Sequence, residues 1–317
     1  MSVCLPKIVL SFDIEEHHQI EAAAGLRVSL PVRERYAEGM EQSTYWVLEK
    51  LAAYDVRATF FLVGQVARSR PWMVQAIHEA GHEIGSHSWS HRRIHRHTPA
   101  SFREDTRTSK DILEQTIGAP VLGYRAPTFS VVRETAWALD VLVELGFEYD
   151  SSIFPVRHDR YGVPDAPRAP FLARGYHSTL LELPLLTWRS LGWNVPVGGG
   201  GYFRLLPSWV LERGLAQATR NGTPPVAVLY FHPWEFDRDQ PRLPLGTVDE
   251  WRTYVGIGST RKRLRMLLEK HRFQRAIDVA VELKRSRAAL ETFSLPERQP
   301  NAAPEMGALG VLPSIPQ

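Results

Sequence analysis

His87 and His91 stand four residues apart in the run Ser86-His87-Ser88-Trp89-Ser90-His91, and the run Ser11-Phe12-Asp13-Ile14-Glu15-Glu16 near the start of the chain holds three carboxylates. Two imidazoles at this spacing lie on one side of a helical turn, and a carboxylate from another strand completes a facial set of three ligands for a divalent metal. Such a set leaves metal positions open to water and substrate. A closed structural zinc site uses four protein ligands, usually including cysteine, and the single cysteine here is Cys4. The chemistry these residue types support is metal-assisted hydrolysis. His95 and His97 follow, and His91/His95 repeats the spacing. His87/His91 is the preferred pair because His87 follows a strand-like segment and Gly85, whereas Arg92, Arg93 and Arg96 mark the later turn as solvated.

Groups of this kind are positioned by strand ends. Lys7 to Asp13 (KIVLSFD) is an apolar run ending in a carboxylate, the pattern of a buried strand whose C-terminal end opens on a site. A helix over Glu41 to Tyr54, a strand over Arg57 to Val63 stopping at Gly64, a helix from Pro71 to Ala80 closed by Gly81, and a strand over His82 to Ser86 follow. Thr98-Pro99 starts a helix to about Ile117; then come a strand at Val121 to Tyr124, a helix at Arg133 to Leu145 and a strand at Phe147 to Asp150. The second half is less regular. Phe154 to Tyr176 reads as a long loop, a strand at Thr179 to Leu183 leads to the glycine run Gly198 to Gly201, and a helix at Ser208 to Arg220 and an apolar strand at Val226 to Phe231 precede a second loop at Asp237 to Gly258. A basic helix near Arg261 to His271 and a strand at Arg275 to Val279 complete a domain over residues 1–285, and residues 286–317 read as a flexible tail.

This alternation, without a glycine-rich dinucleotide fingerprint, favours a closed or nearly closed parallel barrel over an open dinucleotide-binding sheet. Asp13, His87, Arg125, Asp150 and His232 all fall at or just past predicted strand ends, the rim at which (β/α) barrels carry their sites.

Composition narrows the function classes. An apolar share of 44% over 317 residues supports a folded core, and 38 basic against 35 acidic side chains is too even to argue for nucleic acid as a partner. A lone cysteine excludes a disulfide framework within the chain and fits a reducing compartment. With no signal-peptide-like run and no stretch as long as a membrane span, a soluble, cytoplasmic protein without a transmembrane segment is expected. Arg261, Lys262, Arg263 and Arg265 beside Leu264, Met266, Leu267 and Leu268 leave membrane-surface contact open for that helix. Oligomeric state is not legible at this level.

In their types and order the motifs resemble those of polysaccharide deacetylases of the NodB-homology class, metal-dependent carbohydrate N-deacetylases of the carbohydrate esterase family 4 type. The resemblance runs from about Val9 to Val279; SFDIEE, GGGYFRLL (Gly199 to Leu206) and FHPWEF (Phe231 to Phe236) resemble the branch associated with bacterial exopolysaccharide gene clusters. It implies an α/β fold, a distorted (β/α) barrel of seven parallel strands, and a divalent metal, Zn2+ first and Co2+ as an alternative.

In the family's first motif two adjacent aspartates act as catalytic base and metal ligand. Asp13 keeps the first place, but Ile14 stands in the second, so the carboxylate ligand falls to Glu15 or Glu16. Strand alternation puts Glu15 on the face of Asp13, while an earlier turn would present Glu16. His87 and His91 match the metal-binding histidines. Arg125, in Arg125-Ala126-Pro127, corresponds to an arginine that pairs with Asp13, and the backbone amide near Thr128 to a group that helps polarise the substrate carbonyl. Asp150, in Asp150-Ser151-Ser152, resembles an acidic group that supports the catalytic polar network. His232 resembles the histidine that protonates the leaving amine, and Trp234 offers an apolar or stacking wall for a sugar.

The resemblance therefore implies hydrolysis of N-acetyl groups on an amino sugar of an oligo- or polysaccharide, or of its lipid-linked precursor, in exopolysaccharide biosynthesis. No Gly-x-Ser-x-Gly elbow offers a covalent route. Two other readings stay open: a metal-dependent hydrolase of a small amide, and an inactive carbohydrate-binding barrel. The long loops argue for an extended ligand against the first, and the presence of Asp13, His87, His91 and His232 argues against the second.

Overall fold

Eight consecutive buried residues, Lys7–Ile14, form strand β1, and burial on both faces is what the interior of a parallel sheet requires. In the computed structural model, which describes residues 6–286 and 289–296, the further strands are β2 (Thr59–Leu62), β3 (Glu83–Ser86), β4 (Gly123–Tyr124), β5 (Tyr149–Asp150), β6 (Phe171–Arg174), β7 (Thr179–Glu182), β8 (Thr187–Ser190), β9 (Trp193–Pro196), β10 (Val226–Phe231) and β11 (Thr292–Ser294). Nine of them make one sheet in the order β10-β1-β2-β3-β4-β5-β7-β6-β11. The run from β10 to β7 is seven parallel strands, as expected; β6 then pairs antiparallel with β7, and β11 parallel with β6. Past β7 the chain turns back to β10, where the Leu186 N–H donates to the Val228 carbonyl at 3.0 Å and Gly199 bridges Tyr230. The sheet thereby curls into a distorted barrel, with β8 and β9 as a separate hairpin.

The helices are α1 (Leu30–Ala53), α2 (Gly64–Ser69), α3 (Pro71–Glu79), α4 (Pro99–Ile117), α5 (Trp137–Glu144), α6 (Gly200–Leu205), α7 (Ser208–Asn221), α8 (Thr247–Tyr254), α9 (Ile257–Lys270) and α10 (Ala276–Arg285). Alternation along β1 divides the core. Leu10, Phe12 and Ile14 join the apolar layer under the helices, where Phe12 stacks on Phe60 with ring centroids 5.1 Å apart. Truncating such a ring to alanine costs about 3–5 kcal/mol. On the other face Val9 joins Phe61, Tyr149 and Val228, and Ser11 and Asp13 carry the same face up to the rim.

Helix α10 plugs the opposite end of the barrel. A strand is expected over Arg275 to Val279, yet buried Ala276, Val279, Ala280 and Leu283 recur at helical spacing, and Thr59 and Glu83 accept the first amides of the helix at 2.7 and 2.9 Å. Other expectations also shift. Helix α1 begins at Leu30, with Pro31 in its first turn, well before Glu41. The loop expected at Phe154 to Tyr176 ends in β6, and that at Asp237 to Gly258 contains α8 and the start of α9. The tail expected from 286 supplies β11, and Leu295 is buried because it docks into the main core. Cys4 and the rest of that tail, 287–288 and 297–317, lie outside the described residues.

Candidate active site

The loop after β3 carries both histidines, and it is not the helical turn that their spacing suggests. Ser88 (φ 64°) and His91 (φ 54°) are left-handed, so the chain doubles back and brings the two imidazole centroids within 4.9 Å. Asp105 of α4 pins the loop, accepting from the Trp89 N–H and the Ser90 hydroxyl at 2.8 Å each. Gly64 lets Trp89 close on it, since a Cβ there would meet the indole at 2.6 Å.

Ligand atoms of Glu15, His87 and His91 all lie within 4.8 Å of one another. His87 Nδ1 is 2.8 Å from the Arg125 carbonyl and His91 Nδ1 is 2.9 Å from that of Gln19. A carbonyl only accepts, so both Nδ1 atoms hold the proton and both Nε2 atoms are left for the site. His91 Nε2 meets the Glu15 carboxylate directly. Burial pushes the His87 imidazole down to about 4, which keeps it neutral. Burial acts to raise Glu15, but His91, His232 and His87 more than offset it and hold the carboxyl well below its usual range. Two oriented imidazoles and an ionised carboxylate form a donor set that fits a zinc-like divalent ion. Glu16, the other carboxylate in question, faces His18 Nδ1 at 3.2 Å and stays outside the set, because alternation past β1 carries Glu15, not Glu16, to the face of Asp13.

Asp13 accepts from Arg125 Nη1 at 2.7 Å. Arg125 is fully buried, with the same Nη1 on Ser11 Oγ (2.7 Å), Nε on the Ser151 carbonyl (3.0 Å) and Nη2 on Ser151 Oγ (2.9 Å), and it lies over the Phe61 ring. Its geometry is therefore over-determined, and so is that of the carboxylate it holds. His232, one residue past β10, points Nε2 toward Asp13 (3.9 Å) and Glu15 (3.7 Å) and gives Nδ1 to Glu235 at 2.8 Å. Burial pulls its imidazolium down, yet Glu15, Glu235 and Asp13 lift it to about 9. Glu235 is in turn bonded to buried Arg204 at 2.8 Å.

The remaining candidates divide. Thr128, left-handed at φ 55°, and Trp234 line the same cavity as Asp13, Glu15, His87, His91 and His232, a space of about 530 Å³. Trp234 stacks on His232 and donates its indole N–H to Glu15 at 3.2 Å, so the ring holds the site together more than it offers a free face. Asp150 is fully buried and does not line the cavity. Its carboxylate accepts from Ser152, whose hydroxyl accepts from the Ala126 N–H at 2.7 Å, which makes Asp150 a positioning residue beneath the Arg125 loop. It pairs with Glu182 across the sheet, and burial raises both carboxyls, Asp150 to about 6 and Glu182 well above its usual value. Glu235, Arg204 and Glu182 escape a reading by motif; His232-x-x-Glu235 carries a usable signal, since an acid three residues on caps the turn and reaches the ring.

Residues 35–149 match the polysaccharide deacetylase family model, and residues 151–281 match a domain of unknown function, DUF3473. Residues 35–149 are thus similar to polysaccharide deacetylases. The first segment carries His87, His91 and Arg125, the second carries His232, Glu235 and Arg204, and Asp13 and Glu15 precede both. A peptidoglycan-N-acetylglucosamine deacetylase of Bacillus cereus is 30% identical over 95 residues, covering 30% of this chain and 34% of its own. Chitin deacetylase 1 of Cryptococcus neoformans is 28% identical over 92 residues, 29% of this chain and 20% of its own. The chain thus spans about a third or less of the length of these curated relatives. Among solved structures, one from Mycobacterium smegmatis assigned as a polysaccharide deacetylase superposes with TM-score 0.60 at 19% identity, covering 92% of this chain and 94% of that one. Puue allantoinase does so with TM-score 0.60 at 16% identity, over 89% and 91%. At those identities the likeness is one of fold. Among the described residues no helix is long and apolar enough to cross a membrane.

Proposed function

We propose that this chain is a metal-dependent hydrolase that removes N-acetyl groups from an amino sugar within an oligo- or polysaccharide. The observation that carries the reading is the convergence on one cavity of the Glu15, His87 and His91 donor set, the Arg125-held Asp13 and the Glu235-held His232. A divalent ion bound there, zinc or cobalt, supplies Lewis acidity toward water and an acetamide carbonyl. Asp13, held in place by Arg125, accepts the proton of the attacking water. The Thr128 turn presents its backbone to the oxygen that gains charge. His232 then delivers a proton to the sugar nitrogen as the C–N bond breaks, and acetate and a free amine leave without a covalent enzyme intermediate.

The relatives named for peptidoglycan and chitin support an N-acetylated glycan as substrate, and the runs SFDIEE, GGGYFRLL and FHPWEF support a place in exopolysaccharide synthesis, on the polymer or on a lipid-linked precursor. A cavity of about 530 Å³ has room for more than one small amide. Acetate release from a panel of N-acetylated oligosaccharides, with allantoin and other small amides alongside, tests the reading. Turnover of glycans supports it; turnover confined to small amides, or none with metal supplied, contradicts it.

A further inference from the structure

Beyond the catalytic groups, the cavity is lined by the 157–161 loop, α6 and α8, and the charge there does not balance. Two of its carboxylates are paired with arginine, Glu21 with Arg93 at 3.3 Å and Asp249 with Arg160 at 2.9 Å, while Asp159 meets the His158 imidazole at 3.0 Å, which burial keeps toward its neutral form. The Arg204 guanidinium is neutralised by Glu235 at 2.8 Å. Arg157 and Arg252 line the same cavity and have no carboxylate partner among the described residues. Arg157 lies over the exposed Trp193 indole, 5.8 Å from its centroid, and the field of Arg252 reaches the hydroxyls of Tyr161 and Tyr202 on the cavity wall. Tyr161 is itself fixed, stacked on His158 with centroids 3.9 Å apart and planes 7° from parallel.

Aromatic rings present flat faces for sugars, and a guanidinium fork matches a carboxylate or phosphate in two hydrogen bonds. Two guanidinium forks with no carboxylate partner, set against the single uncompensated Asp159, leave this part of the cavity with an excess of positive charge that suits an anion. We infer that the cavity takes an N-acetylated glycan that carries a negative charge, and that Arg157 and Arg252 receive its anionic group, a uronate carboxylate or a sugar phosphate. This deepens the deacetylase reading and rests on it for the N-acetyl group.

The test is equilibrium binding to the full chain in two matched pairs: a hyaluronan tetrasaccharide against N-acetylchitotetraose, and N-acetylglucosamine 1-phosphate against N-acetylglucosamine. In at least one pair the anion binds about tenfold more tightly at low salt, and the preference shrinks as salt is raised. The pair that shows it names the group as carboxylate or phosphate. In the Arg157→Gln/Arg252→Gln double variant the preference falls to within about twofold, while Arg157→Lys/Arg252→Lys restores part of it. Equal binding in both pairs, or a preference that survives the double glutamine variant, overturns the inference. Acetate release is scored separately on the same probes. Charge preference without acetate release removes the deacetylase reading and leaves the anionic site; acetate release without charge preference does the reverse.

Discussion

His232 Nδ1 lies 2.8 Å from Glu235 Oε1, and the other oxygen of that carboxylate accepts from Arg204 at 2.8 Å. In the proposed reaction the proton donor, His232, is held by partners from the 151–281 segment, while the proton acceptor, Asp13, is held by Arg125 from the 35–149 segment.

Glu235→Gln keeps the shape of this contact and removes its charge. Burial disfavours the His232 imidazolium, and Glu235 is among the carboxylates that reverse that effect, so the variant lowers the pKa of the general acid. Turnover that needs protonated His232 then fails at a lower pH, and the alkaline limb of the kcat profile moves down while metal content stays the same. An unmoved limb detaches Glu235 from proton delivery.

Asp13→Asn should retain the fold and the metal but lose roughly 10²–10⁴-fold in kcat, the usual worth of general-base assistance. Metal analysis beside a steady-state assay separates the two. Loss of metal with activity would make Asp13 a ligand.

Arg125→Met leaves Asp13 buried without its partner. Removing one member of a fully buried pair costs about 3–5 kcal/mol, read as a fall in the urea midpoint. A midpoint within error of wild type would mean that the pair is not the anchor its hydrogen bonds describe.

The Asp150 and Glu182 pair predicts how stability changes with pH. Burial raises the Glu182 carboxyl in the folded state well above its unfolded value, so the contribution is present at low pH and is lost as pH rises from about 4.5 toward the folded value. Glu182→Gln keeps a donor toward Asp150 and an acceptor for the Ile153 N–H, which Glu182 Oε1 now binds at 3.0 Å. Urea midpoints at pH 5 and 8 should differ less in the variant than in wild type. An equal difference would show that burial does not hold the Glu182 carboxyl protonated.

Much of this site is legible in the sequence because strand ends announce themselves: Asp13 is the last residue but one of its strand, Asp150 is the last of its own, and His87, Arg125 and His232 lie one residue beyond theirs. The two histidines are legible as a pair through their spacing, although a left-handed loop rather than a helix joins them, and φ is invisible to spacing. Helix α10 is hard to see because Arg275 to Val279 is too short to separate a period of 2 from one of 3.6; the full stripe through Leu283 is needed. The β8–β9 hairpin turns on Leu191 (φ 49°) and Gly192 (φ 84°), and that glycine was its only local signal. Glu182 and Arg204 meet their partners only through tertiary packing, which no local pattern records.

Zinc stoichiometry, measured on purified wild type and on Glu15→Gln, Glu16→Gln, His87→Ala, His91→Ala and His95→Ala, tests the ligand set at its source. Wild type should hold a single zinc ion. Glu15→Gln, His87→Ala and His91→Ala should lose it, because the remaining two ligands bind too weakly, while Glu16→Gln and exposed His95→Ala keep it. Zinc retained by Glu15→Gln but lost from Glu16→Gln, or no zinc bound by wild type after reconstitution, would contradict a metal site built on Glu15, His87 and His91.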